Sequence, residues 1–203
     1  MSTASVARVE VADYLALEAT AETKHEFVNG EIVAMAGATL EHEAVKVGLS
    51  TALVAALAKA GRPCITLGSD TRVRIDETGL YGYPDATVVC GRPDLDRTHA
   101  PPTLLNPQVV FEVLSPSTEA YDRGAKAGHY RQRASLMEYV LVSSTERSVE
   151  VLRRDEGGWW KTGIFTGDGR VPLASLGIEL ALDDIYGQLE ALRAAEAEGA
   201  AEG

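Results

Sequence analysis

The sequence predicts a mixed α/β (α+β) fold in which a central mixed β-sheet is flanked by helices. Apolar runs of strand length occupy 83–90, 108–114 and 138–144, and apolar residues recur at helical spacing through 40–60. Helices and strands do not alternate regularly, which argues against a doubly wound βαβ array. The sequence GxxxxGK[ST] and the sequence GxGxxG are both absent, so no standard phosphate-binding loop is expected.

Length and composition bound the organisation of the chain. Its 203 residues are 45% hydrophobic and 24% charged, which is typical of a soluble protein with one sizeable core. We predict a flexible N-terminus at 1–9, a single folded domain at 10–190 and an acidic, disordered tail at 191–203. No apolar stretch approaches the length of about 18 residues that a membrane-spanning helix needs.

Charge and cysteine content restrict the partners and the compartment. The net charge of −11 argues against tight, non-specific binding to a nucleic-acid duplex, which depends on many lysine and arginine contacts. It leaves room for a site in which bound metal ions supply the positive charge. Cys64 and Cys90 are far apart and form no CxxC pattern, so we expect neither a zinc site nor a disulfide, and we expect a cytoplasmic location.

The N-terminal half of the chain contains two predicted helices and a hairpin. A short helix is expected within 8–22, and Asn29-Gly30 predicts a type I′ turn between strands near 24–28 and 31–36. The longest predicted helix, 40–60, ends at Gly61 and Pro63.

The remaining elements are mostly strands. They are predicted at 64–75 with an irregularity at Gly68, at 83–90, at 108–114, at 138–144, and at 149–155 and 159–165 on either side of Gly157-Gly158. A turn is expected at 76–83 and a proline-rich loop at 91–107. A helix from 118 or 122 to 133 and a final amphipathic helix at 183–197 complete the prediction.

Two acidic residues in or beside predicted strands are candidate metal-binding groups. Glu112 interrupts the apolar run VVFEVL, and an ionised carboxylate buried there is costly unless a cation compensates it. Asp85 stands at the head of ATVVC, and the two carboxylates would share one sheet edge if these strands pair. Two adjacent carboxylates both stay ionised when a cation joins them, and oxygen ligands suit Mg²⁺ or Mn²⁺.

Lys126 is the predicted cation of the following helix. It shares one helical face with Asp122 and Tyr130, four residues away on either side. Its ammonium could balance Glu112 and Asp85, orient an attacking water or stabilise charge on a phosphate. Asp122 could equally be only a helix cap.

The segments YPDATVVC and VVFEVLSPST, followed by Asp122, Lys126 and Tyr130, resemble the Uma-type restriction endonuclease family of the PD-(D/E)XK nuclease superfamily. The hairpin EFVNGEIVAMAG adds to the likeness, which covers roughly 10–185. The resemblance implies a restriction-endonuclease-like fold with an N-terminal β-hairpin. It also implies that Asp85 is the aspartate of the PD motif and that Glu112 is the acid of the (D/E)XK motif, together holding the metal.

The chain departs from the superfamily pattern two residues after Glu112. Leu114 stands where the motif has lysine, and the resemblance suggests that Lys126 replaces it. Superfamily members often add an acid near the metal from an N-terminal helix. His42, a secondary candidate at the start of the long helix, or its neighbour Glu43 could fill that role or bind substrate. Glu31, after the hairpin turn, is another candidate, and solvated surface positions remain the alternative for these residues.

These observations predict a Mg²⁺- or Mn²⁺-dependent endonuclease that hydrolyses phosphodiester bonds of nucleic acid, with DNA as the expected substrate. Asp85 and Glu112 would hold the metal and Lys126 would assist catalysis. The alternative is an inactive protein of the same fold that binds nucleic acid or a protein partner. A third possibility is a structural dimer in which the acids only pair with lysine or arginine, and exposed sheet edges make a homodimer plausible.

Overall fold

A computed structural model describes residues 8–35 and 37–201 of the chain. Expectations for residues 1–7, for residue 36 at the end of the predicted hairpin and for residues 202–203 of the predicted tail therefore lie outside the described residues. The helices share the outer layers of the fold; they are α1 Val11–Glu18, α2 Leu40–Lys59, α3 Glu119–Tyr121, α4 Ala127–Tyr130 and α5 Leu182–Ala201. The strands are β1 His25–Val28, β2 Glu31–Ala34, β3 Cys64–Gly68, β4 Val73–Ile75, β5 Leu80–Gly82, β6 Ala86–Cys90, β7 Leu95–Asp96, β8 Thr103–Leu104, β9 Val109–Leu114, β10 Glu138–Ser143, β11 Ser148–Arg154, β12 Trp160–Thr166, β13 Arg170–Leu173 and β14 Ile178–Ala181.

Two six-stranded sheets replace the single central sheet that the sequence predicts. One has the order β2-β1-β5-β4-β8-β7 and the other has the order β12-β11-β10-β9-β6-β3. In the second sheet β9 pairs parallel with β10 and antiparallel with β6, so it is mixed, as expected. The mixed α+β class with helices flanking mixed sheets is therefore confirmed.

The hairpin prediction is confirmed in detail. Asn29 and Gly30 have φ angles of 51° and 90°, as a type I′ turn requires at both central positions. The turn aligns Val28 with Glu31 and His25 with Ala34 across β1 and β2. This register fixes which side of β1 its side chains occupy, including that of Glu26.

The second sheet separates two apolar clusters. Because successive side chains of a strand point to opposite faces, β9 divides its residues between them. Val109, Phe111 and Val113 join the cluster beneath α2 and α5, whereas Val110 and Leu114 join the cluster beneath α4. Glu112 therefore occupies a position on the α4 face of this sheet.

The segment between α2 and β6 contains more and shorter strands than predicted. The expected strand 64–75 divides at Gly68 into β3 and β4, which lie in different sheets. The predicted turn at 76–83 contains β5, and the proline-rich loop contains the two-residue strands β7 and β8. Strands this short carry too few residues to show an alternating pattern in the sequence.

The prediction that the two cysteines form no disulfide is wrong. Cys64 and Cys90 are directly opposite on β3 and β6, with Cα atoms 3.9 Å apart, and they form a disulfide. Sequence spacing did not show this proximity, because it arises from antiparallel pairing of strands that lie 26 residues apart. The argument for a cytoplasmic location from unpaired cysteines is therefore lost.

The predicted helix at 118–133 is present in three pieces. A π-helical turn at Asp122–Lys126 joins α3 to α4. At the other end of the chain, α5 continues to Ala201, where a disordered tail was expected from 191. Alanine and glutamate dominate that stretch, and both have high helix propensity.

Within the described ranges, no helix has the length and apolar character that crossing a membrane requires.

The contact between α2 and α5 depends on Gly48. A Cβ atom at this position would lie 2.1 Å from the Ile185 carbonyl oxygen, which is backbone and cannot turn away. We predict that Gly48→Ala lowers the free energy of unfolding by about 1–3 kcal/mol, the usual cost of overpacking. Chemical denaturation would measure it.

Gly187→Ala is the matched control, because Gly187 lies in α5 with no atom within 4 Å of its added Cβ. It should be neutral or stabilising through helix propensity. Equal stability losses in the two variants would contradict the proposed close contact.

Candidate active site

Asp85 and Glu112 meet across the pairing of β6 with β9. Ala86 is opposite Phe111 in this antiparallel ladder, so continuing the register by one residue sets Asp85 opposite Glu112. Asp85 Oδ2 accepts a hydrogen bond of 2.7 Å from the Val113 backbone N–H, which ties the aspartate to β9. The two strand acids that the sequence singled out therefore share one edge of the sheet.

Glu112 is deeply buried and close to a single cation. Its side chain is 4% exposed, and its Oε1 lies 2.9 Å from Lys126 Nζ. This contact lacks hydrogen-bond alignment, and Oε1 receives no hydrogen bond from any described residue. The ion pair thus leaves part of the acceptor capacity of Glu112 unused.

Lys126 is surrounded by carboxylates. Its Nζ lies 2.9 Å from Glu26 Oε1, 2.9 Å from Glu112 Oε1 and 3.5 Å from Asp122 Oδ1. Glu26 comes from β1 of one sheet and Glu112 from β9 of the other. One ammonium group therefore connects both sheets to the helical segment that carries it.

The π-helical turn supplies both Asp122 and Lys126. Asp122 and Lys126 are the first and last residues of this turn, and both side chains are buried although both are polar. Tyr139 anchors the turn by donating a hydrogen bond of 3.0 Å from its hydroxyl to the Asp122 carbonyl oxygen. Turns of this type are rare and are often found at functional sites.

Burial and an excess of negative charge shift the ionisation of the cluster. Burial raises the pKa of Glu112 well above its ordinary range, and neighbouring acids add to this against the lowering effect of Lys126. Burial likewise raises the pKa of Asp122. Burial opposes the charge of Lys126, but the surrounding carboxylates outweigh it and raise the pKa of the ammonium. The lysine is therefore charged, and the site is short of positive charge.

His42 contacts the aspartate rather than the lysine. Its Nε2 lies 3.3 Å from Asp85 Oδ2, and its side chain is 13% exposed. Burial lowers the pKa of His42, but the hydrogen bond and charge of Asp85 overcome this and raise it. With Val113 N–H on the same oxygen, His42 helps fix the orientation of the Asp85 carboxylate.

Glu31 is not brought to this cluster. It lies at the start of β2 and is exposed. Glu26, two residues before the Val28 end of β1, occupies the buried place beside Lys126 instead. Sequence reasoning missed Glu26, because its strand has only four residues and Phe27 and Val28 are the only apolar ones, too short a run to mark the acid as buried.

Gly82 allows the close approach of groups around Glu26. A Cβ atom at this position would lie 2.9 Å from the Tyr130 hydroxyl and 3.3 Å from Glu26 Oε1. Burial raises the pKa of Tyr130 well above its ordinary value, so the hydroxyl is neutral. The neighbouring Tyr83 backbone N–H donates a hydrogen bond of 3.2 Å to Glu26 Oε1.

Asp85 is the member of the candidate site that borders a surface groove. A groove of about 400 Å³ borders Asp85 between α2 and the turn that follows β3. Lys46 and several hydroxyl side chains line it: Ser50, Thr51, Ser69 and Thr71. Asp85 is 15% exposed, whereas Glu112 and Lys126 are 4% and 5% exposed. A substrate would therefore meet Asp85 first.

The oxygen ligands at this site fit a hard divalent cation that takes only a few of its ligands from the protein. Among the residues in 8–35 and 37–201, no three His, Cys, Asp or Glu side chains are grouped as a metal cage. Mg²⁺ commonly uses only one or two carboxylates together with waters and substrate phosphates. Asp85 and Glu112, with the under-used Glu112 Oε1, are compatible with that mode of binding.

Comparison with known proteins identifies the family. A sequence model of the Uma2 family, described as "Putative restriction endonuclease", matches residues 11–183. The chain belongs to the Uma2 family. The predicted family resemblance is thereby confirmed over the region that contains every residue of the candidate site.

Relatives and a solved structure agree with this assignment. The "Uncharacterized protein slr1290" of Synechocystis sp. is 37% identical over 174 residues, which cover 86% of this chain and 89% of the relative. The "Uncharacterized protein sll1609" of the same organism is 34% identical, covering 70% and 78% of the two chains.

A crystal structure of a "putative nuclease belonging to DUF820" from Anabaena variabilis has a similar fold, with a TM-score of 0.66 and 18% identity. The match covers 83% of this chain and 93% of that one. The predicted nuclease-type fold is therefore confirmed.

The raised pKa of Glu112 leads to a stability prediction for metal-free protein. The folded state holds the Glu112 proton more tightly than the unfolded state, so stability contributed by the protonated form is lost as pH rises above about 4.5. Glu112→Gln should remove this loss. The free energy of unfolding of this variant at neutral pH should equal or exceed that of the wild type. Chemical denaturation with a chelator present would measure the difference.

Glu138→Gln provides the contrast at a second fully buried glutamate. Glu138 accepts hydrogen bonds from Arg153, Ser175 and the Ala174 backbone N–H. Losing these charge-assisted bonds should cost about 1.5–3 kcal/mol. A similar loss in Glu112→Gln would show that Glu112 is a structural ion-pair partner.

Proposed function

We propose that this protein is a Mg²⁺- or Mn²⁺-dependent endonuclease that hydrolyses phosphodiester bonds, with DNA as its substrate. Membership of a restriction-endonuclease family makes a nuclease the expected activity. The observation that carries the finer proposal is the contact of 2.9 Å between Lys126 Nζ and Glu112 Oε1. It sets a lysine beside the motif acid although Leu114 fills the usual lysine position.

Asp85 and Glu112 would hold the metal ion. A divalent cation there lowers the pKa of bound water and stabilises negative charge on a phosphate. Val113 N–H and His42 hold Asp85 in one orientation, so this ligand is preorganised. Glu112 adds a carboxylate that folding has already removed from water.

Lys126 would supply the protein's own positive charge at the reacting phosphate. Its ammonium has three N–H donors, and burial strengthens the interaction of each with a developing oxyanion. Asp122 Oδ1 lies 3.5 Å from Lys126 Nζ, close enough to orient the ammonium. We assign His42 to the orientation of Asp85 and leave Glu31 outside the site.

Two observations favour a second function. Three carboxylates already neutralise Lys126, and the chain carries a net charge of −11. A protein of this fold that binds nucleic acid or a protein partner without cutting would have the same features. Such a non-cutting protein would not bind a metal ion at Asp85.

Cleavage assays on plasmid, linear and single-stranded DNA test the proposed activity. We expect the wild type to cut with Mg²⁺ or Mn²⁺ and not with a chelator. Lys126→Met and Glu112→Gln should each reduce kcat by about 10²–10³, the usual cost of losing a preorganised charge at the transition state.

Glu31→Gln, on the same hairpin as Glu26, should cut as the wild type does. If Glu112→Gln cuts as fast as the wild type, the assigned site is wrong. DNA binding without cutting by the wild type would favour the second function.

Direct metal binding gives an independent prediction. Wild-type protein should bind Mn²⁺ in isothermal titration calorimetry, and Asp85→Asn should lose at least about tenfold in affinity, since one of two carboxylate ligands becomes neutral. Glu31→Gln should bind as the wild type does. Undiminished binding by Asp85→Asn would exclude Asp85 as a ligand.

We further propose that the protein forms a homodimer. Exposed apolar side chains on α2 support this proposal. Leu40, Val47 and Val54 are seven residues apart on α2, and all three are more than half exposed. Residues at this spacing lie on one helical face.

A further inference from the structure

The Lys126 ammonium is shared between the two sheets. Glu26 Oε1 and Glu112 Oε1 are each 2.9 Å from Nζ, and within the described part of the chain neither glutamate has another lysine, arginine or histidine in ion-pair range. Each carboxylate therefore depends on the same cation. Any event that draws one of them away changes the balance for the other.

A divalent cation would draw Glu112. A doubly charged ion between Asp85 and Glu112 attracts Glu112 more strongly than an ammonium does, and it repels the ammonium itself. Lys126 then needs another acceptor to remain in the buried site, because an unpaired buried charge is very costly.

Of the two other described carboxylates in ion-pair range, Glu26 at 2.9 Å is nearer to Lys126 Nζ than Asp122 at 3.5 Å, so Glu26 is the better placed to retain the ammonium. It approaches Lys126 from the other sheet, and its Oε1 is held by the Tyr83 backbone N–H at 3.2 Å. Its side chain is 6% exposed. Among the described residues, Asp85 by contrast pairs with His42, accepts a hydrogen bond from the Val113 N–H and forms no ion pair with Lys126.

We propose that Glu26 is a positioning residue that retains the Lys126 ammonium in the site when Glu112 binds a divalent cation. This inference rests on the proposed metal-dependent function. It assigns Glu26 no contact with the metal: Glu26 favours metal binding only by giving Lys126 a partner other than Glu112.

A double-mutant cycle on Mn²⁺ affinity tests the proposal without reference to activity. The four proteins are wild type, Glu26→Gln, Lys126→Met and the double variant, each measured by isothermal titration calorimetry. A cycle isolates the part of the Glu26 effect that needs Lys126, because any direct or long-range effect on the metal cancels.

We expect Glu26→Gln to weaken Mn²⁺ binding about tenfold when Lys126 is present, since the ammonium then competes for Glu112. In the Lys126→Met background the same change should alter affinity by less than about threefold. Lys126→Met alone should bind Mn²⁺ more tightly than the wild type. A merely structural role for Glu26 would not produce this dependence on Lys126.

Two other results overturn the inference. If Glu26→Gln weakens binding equally in both backgrounds, Glu26 acts on the metal directly and not through Lys126, while the proposed function stands. If the wild type binds no Mn²⁺, both this inference and the metal-dependent function fail.

Circular dichroism and thermal unfolding identify any variant that fails to fold. Such a variant is replaced by one with a milder substitution at the same position. Glu26→Asp shortens the side chain by one methylene, and Lys126→Gln keeps a donor without the charge. The cycle with these variants should have the same sign and a smaller size, and zero coupling in it contradicts the proposal.

Discussion

The ion cluster around Lys126 is the constraint on which the site depends. A single ammonium, 5% exposed, faces carboxylates from β1, from β9 and from its own helical turn. Burying a charge is favourable only with excellent geometry, so every element that contributes a partner must be held accurately. The type I′ turn fixes the register of β1, Gly82 leaves space beside Glu26, and Tyr139 anchors the π-helical turn.

The two strand acids are held in different ways, which suits different roles. Asp85 is tied to the backbone of β9 and to His42, and it borders the groove through which a substrate would approach. Glu112 is in ion-pair contact with Lys126, and its Oε1 accepts no hydrogen bond from any described residue. Asp85 thus offers a preorganised ligand, whereas Glu112 can exchange its partner at small cost in lost hydrogen bonds.

Much of the fold could be predicted from local signals, and most of the rest depended on pairing between distant strands. The Asn29-Gly30 turn and the apolar repeat of α2 are local, and both were readable. The Cys64–Cys90 pairing and the division of the strands into two sheets are products of tertiary register. In the site, Glu112 was conspicuous within a long apolar strand, but Glu26 lies in a four-residue strand beside His25 and resembles a solvated hairpin residue.

The charge of the site also bears on how nucleic acid could approach it. Carboxylates already satisfy Lys126, the chain is acidic overall, and Lys46 in the groove is itself paired with Glu43. The described cluster therefore offers little free positive charge to a phosphate. If the protein cuts nucleic acid, the attraction at the scissile phosphate must come mainly from a bound cation, so metal binding and substrate binding should be coupled. A protein of this fold without the cation would have to bind nucleic acid through a different surface.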